Sequence, residues 1–225
     1  MHERPRLVTF DFYTALVDCQ ATVVPALRAS LGTTFDAEVL AREWRAKQLE
    51  WTQLSNSLGR ERIPFRECTR LALRHVLARH RIGAGDADIG TLVARWDRMR
   101  PWPEAAATLG ILKARGYSIA ILSNGDEAML RSGAGAFDVP FDHVFASDQA
   151  GRYKPHPAMY ALPTTRAGFA ARHLLHVAGS GNDVLGAKLA GLRCAWSNRP
   201  GEPPADASVR ADHELRDLSG LLAML

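Results

Sequence analysis

Four segments of the chain place reactive groups directly after, or in the loop beyond, an apolar strand-like run. Asp11 follows Leu7-Val-Thr-Phe10, and Ser123 and Asn124 follow Tyr117 to Leu122. Lys154 lies in the loop beyond His143 to Ala146. Asp183 closes the glycine-rich stretch Gly179-Ser-Gly-Asn-Asp183 that succeeds His173 to Ala178. An ionised carboxylate such as Asp11 is already a nucleophile and needs no base to activate it. A fixed ammonium beside it, here Lys154, would keep it ionised and attract an anionic substrate. Hydroxyl, amide and backbone N–H groups around Ser123 and Asn124 can hold a carboxylate or a developing oxyanion. Each segment also has a plain structural reading. Aspartates at element ends cap helices and turns, Ser-Asn-Gly is a good turn sequence, and a single lysine is usually solvated.

These groups can act together only if the strands that carry them lie side by side. From Glu104 onward, helical and strand-like segments alternate. Helices are predicted at Glu104 to Arg115, after Gly125, at Pro157 to Ala167, at Asp183 to Ala190 and at Leu218 to Leu225, and a further strand at Arg193 to Trp196. Such alternation implies parallel βαβ units, and in open parallel sheets ligands bind beyond the carboxyl ends of the strands. Between Thr22 and Arg98 the pattern is helical throughout. Leu40, Trp44, Leu49, Trp51 and Leu54 recur at roughly helical spacing, Pro64 is suited to start a second helix, Gly83-Ala-Gly85 to end it, and Asp86 or Asp88 to cap a third. The expected fold is a doubly wound parallel α/β sheet built from residues 1–18 and 100–225. A helical cap, residues 19–99, is inserted after the first strand.

Composition narrows the function classes. Charged residues make up 23% and apolar ones 47% of 225 residues, which fits a globular chain and not a disordered or coiled-coil one. No apolar run is long enough to span a bilayer. Basic residues are not clustered with aromatics, so no nucleic-acid partner is expected. The net charge of +4 suits a small anionic substrate. Three widely spaced cysteines, Cys19, Cys68 and Cys194, read as reduced core thiols, and the start Met1-His-Glu-Arg-Pro-Arg-Leu7 has no leader pattern. Both point to a cytoplasmic protein. Only four of the 28 basic residues are lysines, so Lys154 stands out where an arginine would not.

Taken together, Phe10-Asp-Phe-Tyr-Thr-Ala-Leu16, Ile121-Leu-Ser-Asn-Gly125, Tyr153-Lys-Pro155 and Val177-Ala-Gly-Ser-Gly-Asn-Asp183 resemble the four ordered motifs of the haloacid dehalogenase superfamily. Tyr13, two places after Asp11, and Trp44-Arg-Ala-Lys-Gln-Leu-Glu-Trp-Thr-Gln-Leu54 in the insertion are similar in particular to the 2-haloacid dehalogenases. The resemblance implies Asp11 as nucleophile, Arg45 as halide cradle, and Asp183 as the carboxylate that positions Lys154 and the hydrolytic water. It adds Tyr13, Tyr160, Ser180 and Asn182 to the substrate-binding groups beside Ser123 and Asn124. No metal or other cofactor is implied, and a homodimer through cap and core helices is.

The chain departs from the family pattern in three places. Ala15 stands where a threonine is usual. Ala178, Ser180 and Asn182 replace the usual Ser-x-Asn and bulky Trp of the last motif. Gly179 occupies the position of the aspartate that holds Mg²⁺ in phosphatase members. The reaction expected is metal-independent hydrolysis of small 2-haloalkanoic acids through an aspartyl ester. The alternatives are another small carboxylate such as azetidine-2-carboxylate, or a Mg²⁺-dependent phosphatase.

Overall fold

The computed structural model describes residues 4–225; the first three residues of the start read above as having no leader pattern lie outside the described residues. The chain opens with strand β1 (Leu7–Phe10), buried along its whole length. After Asp11 the backbone makes one wide helical turn, Phe12–Leu16, and then forms the two-residue strand β2 (Val17–Asp18). Four helices follow: α1 (Cys19–Leu31), α2 (Ala37–Ser57), α3 (Phe65–Arg79) and α4 (Asp86–Ala94). The chain returns along β3 (Arg100–Pro101), antiparallel to β2. This short ladder is the stem on which the helical insertion stands. It left no periodic signature in the sequence, because two residues cannot show one.

Then come α5 (Ala105–Ala114), β4 (Ser118–Ser123), α6 (Glu127–Ala134), β5 (His143–Ala146), the single turn α7 (Ser147–Ala150) and α8 (Pro157–Ala167). The chain continues through β6 (Leu174–Ala178), α9 (Gly181–Leu189), β7 (Arg193–Ser197) and β8 (His213–Leu215). The six main strands form one parallel sheet in the order β5-β4-β1-β6-β7-β8, with helices on its faces. The expected doubly wound α/β architecture with its helical insertion is present.

The C-terminal part of the chain also differs from expectation. The edge strand β8 was missed, because its His213 and Glu214 are exposed and give no alternation. The predicted last helix, Leu218 to Leu225, is a short 3₁₀ segment over Leu218–Ala223, started by Asp217, whose side chain accepts from the Ser219 N–H.

Alternation along the strands sorts the core. Val8, Phe10, Ile119, Ile121 and Val177 face the insertion, α5 and α6, whereas Leu7, Ala120, Leu122, Leu174 and Ala178 face α8 and α9. Continuous apolar strands are what a sheet covered on both faces requires. The register brings Phe10 level with Ile121 on one side and with Val177 on the other. Asp11, Ser123 and Gly179 therefore emerge along the same carboxyl edge. After β1 the chain builds outward on one side through β4 and β5, then on the other through β6 and β7. The strand order thus reverses at β1, where such sheets open a crevice.

Candidate active site

Asp11 lies at that reversal and is 9% exposed. Its two oxygens have different partners. Oδ2 accepts the Thr14 N–H at 3.1 Å, and Oδ1 accepts the Ser123 hydroxyl at 2.9 Å and a longer contact from Lys154 Nζ at 3.5 Å. The wide turn after β1 supplies the first contact, and the parallel register of β4 supplies the second. Thr14, next to the family threonine position now held by Ala15, holds the carboxylate with its main chain.

Lys154 is 6% exposed, which rules out the solvated-lysine reading. Its ammonium is 2.9 Å from Asp183 Oδ2. Its own loop is pinned both from the sheet and from the helical insertion. Asn124 Oδ1 accepts the Lys154 N–H at 2.7 Å, and Gln53 Nε2 of α2 donates to the Lys154 carbonyl at 3.0 Å. Asn56, one turn further along α2, makes a reciprocal pair with the main chain of Tyr153, both bonds 2.9 Å.

Asp183 does not cap α9. That position belongs to Ser180, whose Oγ accepts the Asp183 N–H at 3.3 Å. The Asp183 carboxylate is buried and receives Lys154, the Tyr160 hydroxyl at 2.9 Å on Oδ1, the Gly179 N–H at 3.3 Å and His176 Nε2 at 3.0 Å. Burial by itself would raise this carboxyl, but Lys154 and His176 outweigh that and hold it well below the usual carboxylate range. Burial, reinforced by Asp183, pushes Tyr160 upward, so its hydroxyl stays a donor.

These groups open on a cavity of about 240 Å³ between the sheet edge and α2. Tyr13, Arg45, Ser180 and Asn182 also line it, together with Thr14, Leu49, Glu50, Gln53 and Pro155. Tyr160 does not: it was expected to meet substrate, but it lies buried behind Asp183 and holds that carboxylate instead. A wider hollow of about 700 Å³ opens at the opposite end of the strands, among Pro5, Tyr117 and Leu225. It lies away from the carboxyl edge where parallel sheets bind ligands.

Arg45 is half-buried on α2. Its guanidinium lies 5.6 Å from the centre of the Tyr13 ring and 5.3 Å from that of Trp96, and Nη1 donates to Gln48 at 2.6 Å. Gln48 is fixed in turn by Thr69 of α3 at 2.6 Å. Two aromatic faces and a tethered amide aim the cation at the cavity, an arrangement unlike a freely solvated arginine. Burial pushes the Tyr13 hydroxyl well up, against the opposing pull of Arg45, and it has no hydrogen-bond partner among the described residues.

Three contributors lie outside the sequence reading. Gln53 and Glu50 share the helix face that carries Arg45 and Leu49, a face identifiable only once α2 is docked. His176 did leave a signal: it is a polar residue inside the otherwise apolar run Leu174-Leu-His-Val-Ala178.

The cysteines are free, with Cys68 and Cys194 buried and Cys19 partly so. Burial pushes the Cys68 thiol to about 11 and that of Cys19 to about 12, which keeps both protonated and unreactive. No helix among the described residues is long and apolar enough to cross a membrane.

Comparison with known proteins bears on the same residues. The family model of the haloacid dehalogenase-like hydrolases matches residues 5–191. The chain is 32% identical over 196 residues to haloacetate dehalogenase H-2 of Moraxella sp. (strain B), covering 86% of each protein. It is 30% identical over 224 residues to (S)-2-haloacid dehalogenase 4A of Burkholderia cepacia, covering 98% of this chain and 94% of that one. Among solved structures, L-2-haloacid dehalogenase from Xanthobacter autotrophicus with chloropropionic acid covalently bound superimposes with a TM-score of 0.85. It is 26% identical, with 98% of each chain covered.

Proposed function

The chain belongs to the haloacid dehalogenase-like hydrolases, and from that premise we propose that it hydrolyses small 2-haloalkanoic acids through an ester on Asp11, without a metal. The observation that carries the reading is Asp11 itself. It is a carboxylate at the sheet's reversal point, facing a small cavity, bonded by Ser123 and Lys154 and faced by the caged cation of Arg45. The similarity to named dehalogenases supports it.

In this reading residues 19–99 act as the cap. The substrate carboxylate rests on Ser123, Asn124 and nearby N–H groups. Asp11 attacks C2, the carbon–halogen bond breaks, and the halide leaves toward Arg45 with inversion at carbon. Tyr13 shapes the halide side, while Ser180 and Asn182 border the remainder of the substrate.

Water then adds to Cγ of Asp11. Each carboxylate oxygen already has a donor, so whichever one carries the ester, the other is held as the oxyanion forms. Collapse breaks the Cγ–O bond to the substrate carbon fragment only after this addition, releasing the 2-hydroxy acid and the free carboxylate. One halide and one proton leave per turnover. Asp183 fixes Lys154 and orients the water.

The phosphatase alternative fits the residues poorly. At Gly179, where phosphatases hold their metal aspartate, a Cβ would come within 2.6 Å of Asp11 Oδ2 and 2.7 Å of the Thr14 Cβ. Asp183, the other candidate ligand, is already engaged by Lys154, His176 and Tyr160.

Single-turnover hydrolysis of (S)-2-chloropropionate in ¹⁸O-water tests the scheme. Label should enter Asp11 before it appears in product. Asp11→Asn should lower turnover by about 10⁴-fold or more; retained turnover would overturn the scheme.

A further inference from the structure

His176 is fully buried at the centre of the sheet, and both of its ring nitrogens are engaged. Nδ1 is 2.9 Å from Thr9 Oγ1 on the neighbouring strand β1. Nε2 is 3.1 and 3.0 Å from the two oxygens of Asp183, and 3.3 Å from Lys154 Nζ. The ring is absent from the cavity wall, so it does not meet substrate.

A histidine in a central strand is costly to bury unless its polar atoms are satisfied. Here they are satisfied in an ordered line that runs from β1 through the imidazole to a site carboxylate. The Thr9 hydroxyl can donate to Nδ1. The ring hydrogen then sits on Nε2 and points at Asp183, the logic by which an outer partner fixes both tautomer and orientation of an inner group. The last motif offers few other side-chain donors for this carboxylate. Ala178 and Gly179 have none, Ser180 Oγ accepts the Asp183 N–H as the cap of α9, and the contact this segment makes to the carboxylate is the Gly179 main-chain N–H.

We propose that His176 is a positioning residue for the second half of the reaction, its Nε2–H holding the Asp183 carboxylate in the orientation that aligns Lys154 and the hydrolytic water. The inference rests on the Asp11-ester reading and predicts which half-reaction fails. Asp11 is held by Thr14, Ser123 and Lys154, and among the described residues Asp183 is linked to it through Lys154. Loss of His176 therefore leaves ester formation nearly intact and slows ester hydrolysis.

The test is rapid-quench halide release and intact-protein mass measurement with (S)-2-chloropropionate. For His176→Phe, a burst of one halide per active site should precede a steady state slower than wild type by about tenfold or more, the usual loss when a charged group is deprived of a hydrogen bond. KM should fall with kcat, because the ester accumulates. His176→Gln returns an N–H donor near the Nε2 position and should restore most of the rate. Thr9→Val, which removes the tautomer-fixing hydroxyl and keeps the shape, should give a smaller effect in the same direction, and it serves if the Phe variant does not fold. Equal slowing of burst and steady state, or a Gln variant as slow as the Phe variant, would overturn the assignment. If wild type forms no ester on Asp11, the underlying reading falls and this one with it. A wild-type ester with unchanged kinetics in both His176→Phe and Thr9→Val would overturn this inference alone.

Discussion

Two residues show how tightly the chemistry is set. Gly179 is required by close approach, since any side chain there meets the nucleophile's own oxygen. Gly179→Ala should push the Asp11 carboxylate off its line. Displacements of that order cost roughly 10²-fold in rate, and steady-state halide release would reveal the loss while circular dichroism remains native. Asp183 carries a pH signature. Its carboxyl lies below the ordinary aspartate value of 3.8 in the folded protein, so the unfolded chain takes up the proton first. The stability this group contributes is complete above that ordinary range and is lost as pH falls through the depressed value. Melting temperatures recorded from pH 6 downward should fall more steeply below about pH 4 in wild type than in Asp183→Asn; parallel curves would contradict it.

At the scale of elements, the helical insertion is tied to the sheet by capping. Helix α3 starts after Pro64, which has no side chain to offer its free N–H groups. The Phe65 and Arg66 N–H groups are bonded instead by Asp126, both at 3.0 Å, from the loop after β4. Asp126 also pairs with Arg62 at 2.8 Å, and Arg62 donates at 2.6 Å to the Tyr153 hydroxyl, which in turn donates to the Ile63 carbonyl. With its side chain spent on α3, Asp126 leaves the Glu127 N–H at the start of α6 to Asp148, at 3.1 Å. Asp126→Ala should cost at least about 1–2 kcal/mol in chemical denaturation. It should also raise KM, because the Lys154 loop and α2 share this attachment through Gln53 and Asn56. The sequence suggested a helix beginning at Pro64 but not its cap, because the capping group is 61 residues away along the chain.

For the whole molecule, the fold predicts a substrate range. The cavity is about 240 Å³ and carries Glu50, Gln53 and Asn182 on its walls beside the aliphatic side chains of Leu49 and Pro155. Across fluoro-, chloro- and bromo-acids, and both enantiomers of 2-chloropropionate, halide release should be measurable for two- and three-carbon acids. It should fall with longer alkyl chains, and excess EDTA should leave it unchanged. EDTA inhibition with turnover of a generic phosphate ester would favour the phosphatase alternative instead.

The sequence by itself determined the alternation of strands and helices, the helical insertion, and the polar groups at successive strand ends. These are local matters: apolar runs bury, glycines and capping residues punctuate, and the order of motifs along the chain is the order of the strands. It also singled out Asp11, Lys154 and Asp183, since polar groups at or beyond successive strand ends, in the order of the family's motifs, are harder to explain together than singly as caps or solvated side chains. Tertiary structure decided what those groups touch. It moved Tyr160 from the cavity wall to the back of Asp183 and gave the cap of α9 to Ser180. It tied Asp126 to a distant helix and linked Thr9, His176 and Asp183 across two strands. Each of these depends on strand register and helix docking. Those are fixed by side-chain packing between segments tens to hundreds of residues apart, and no local pattern encodes such distances.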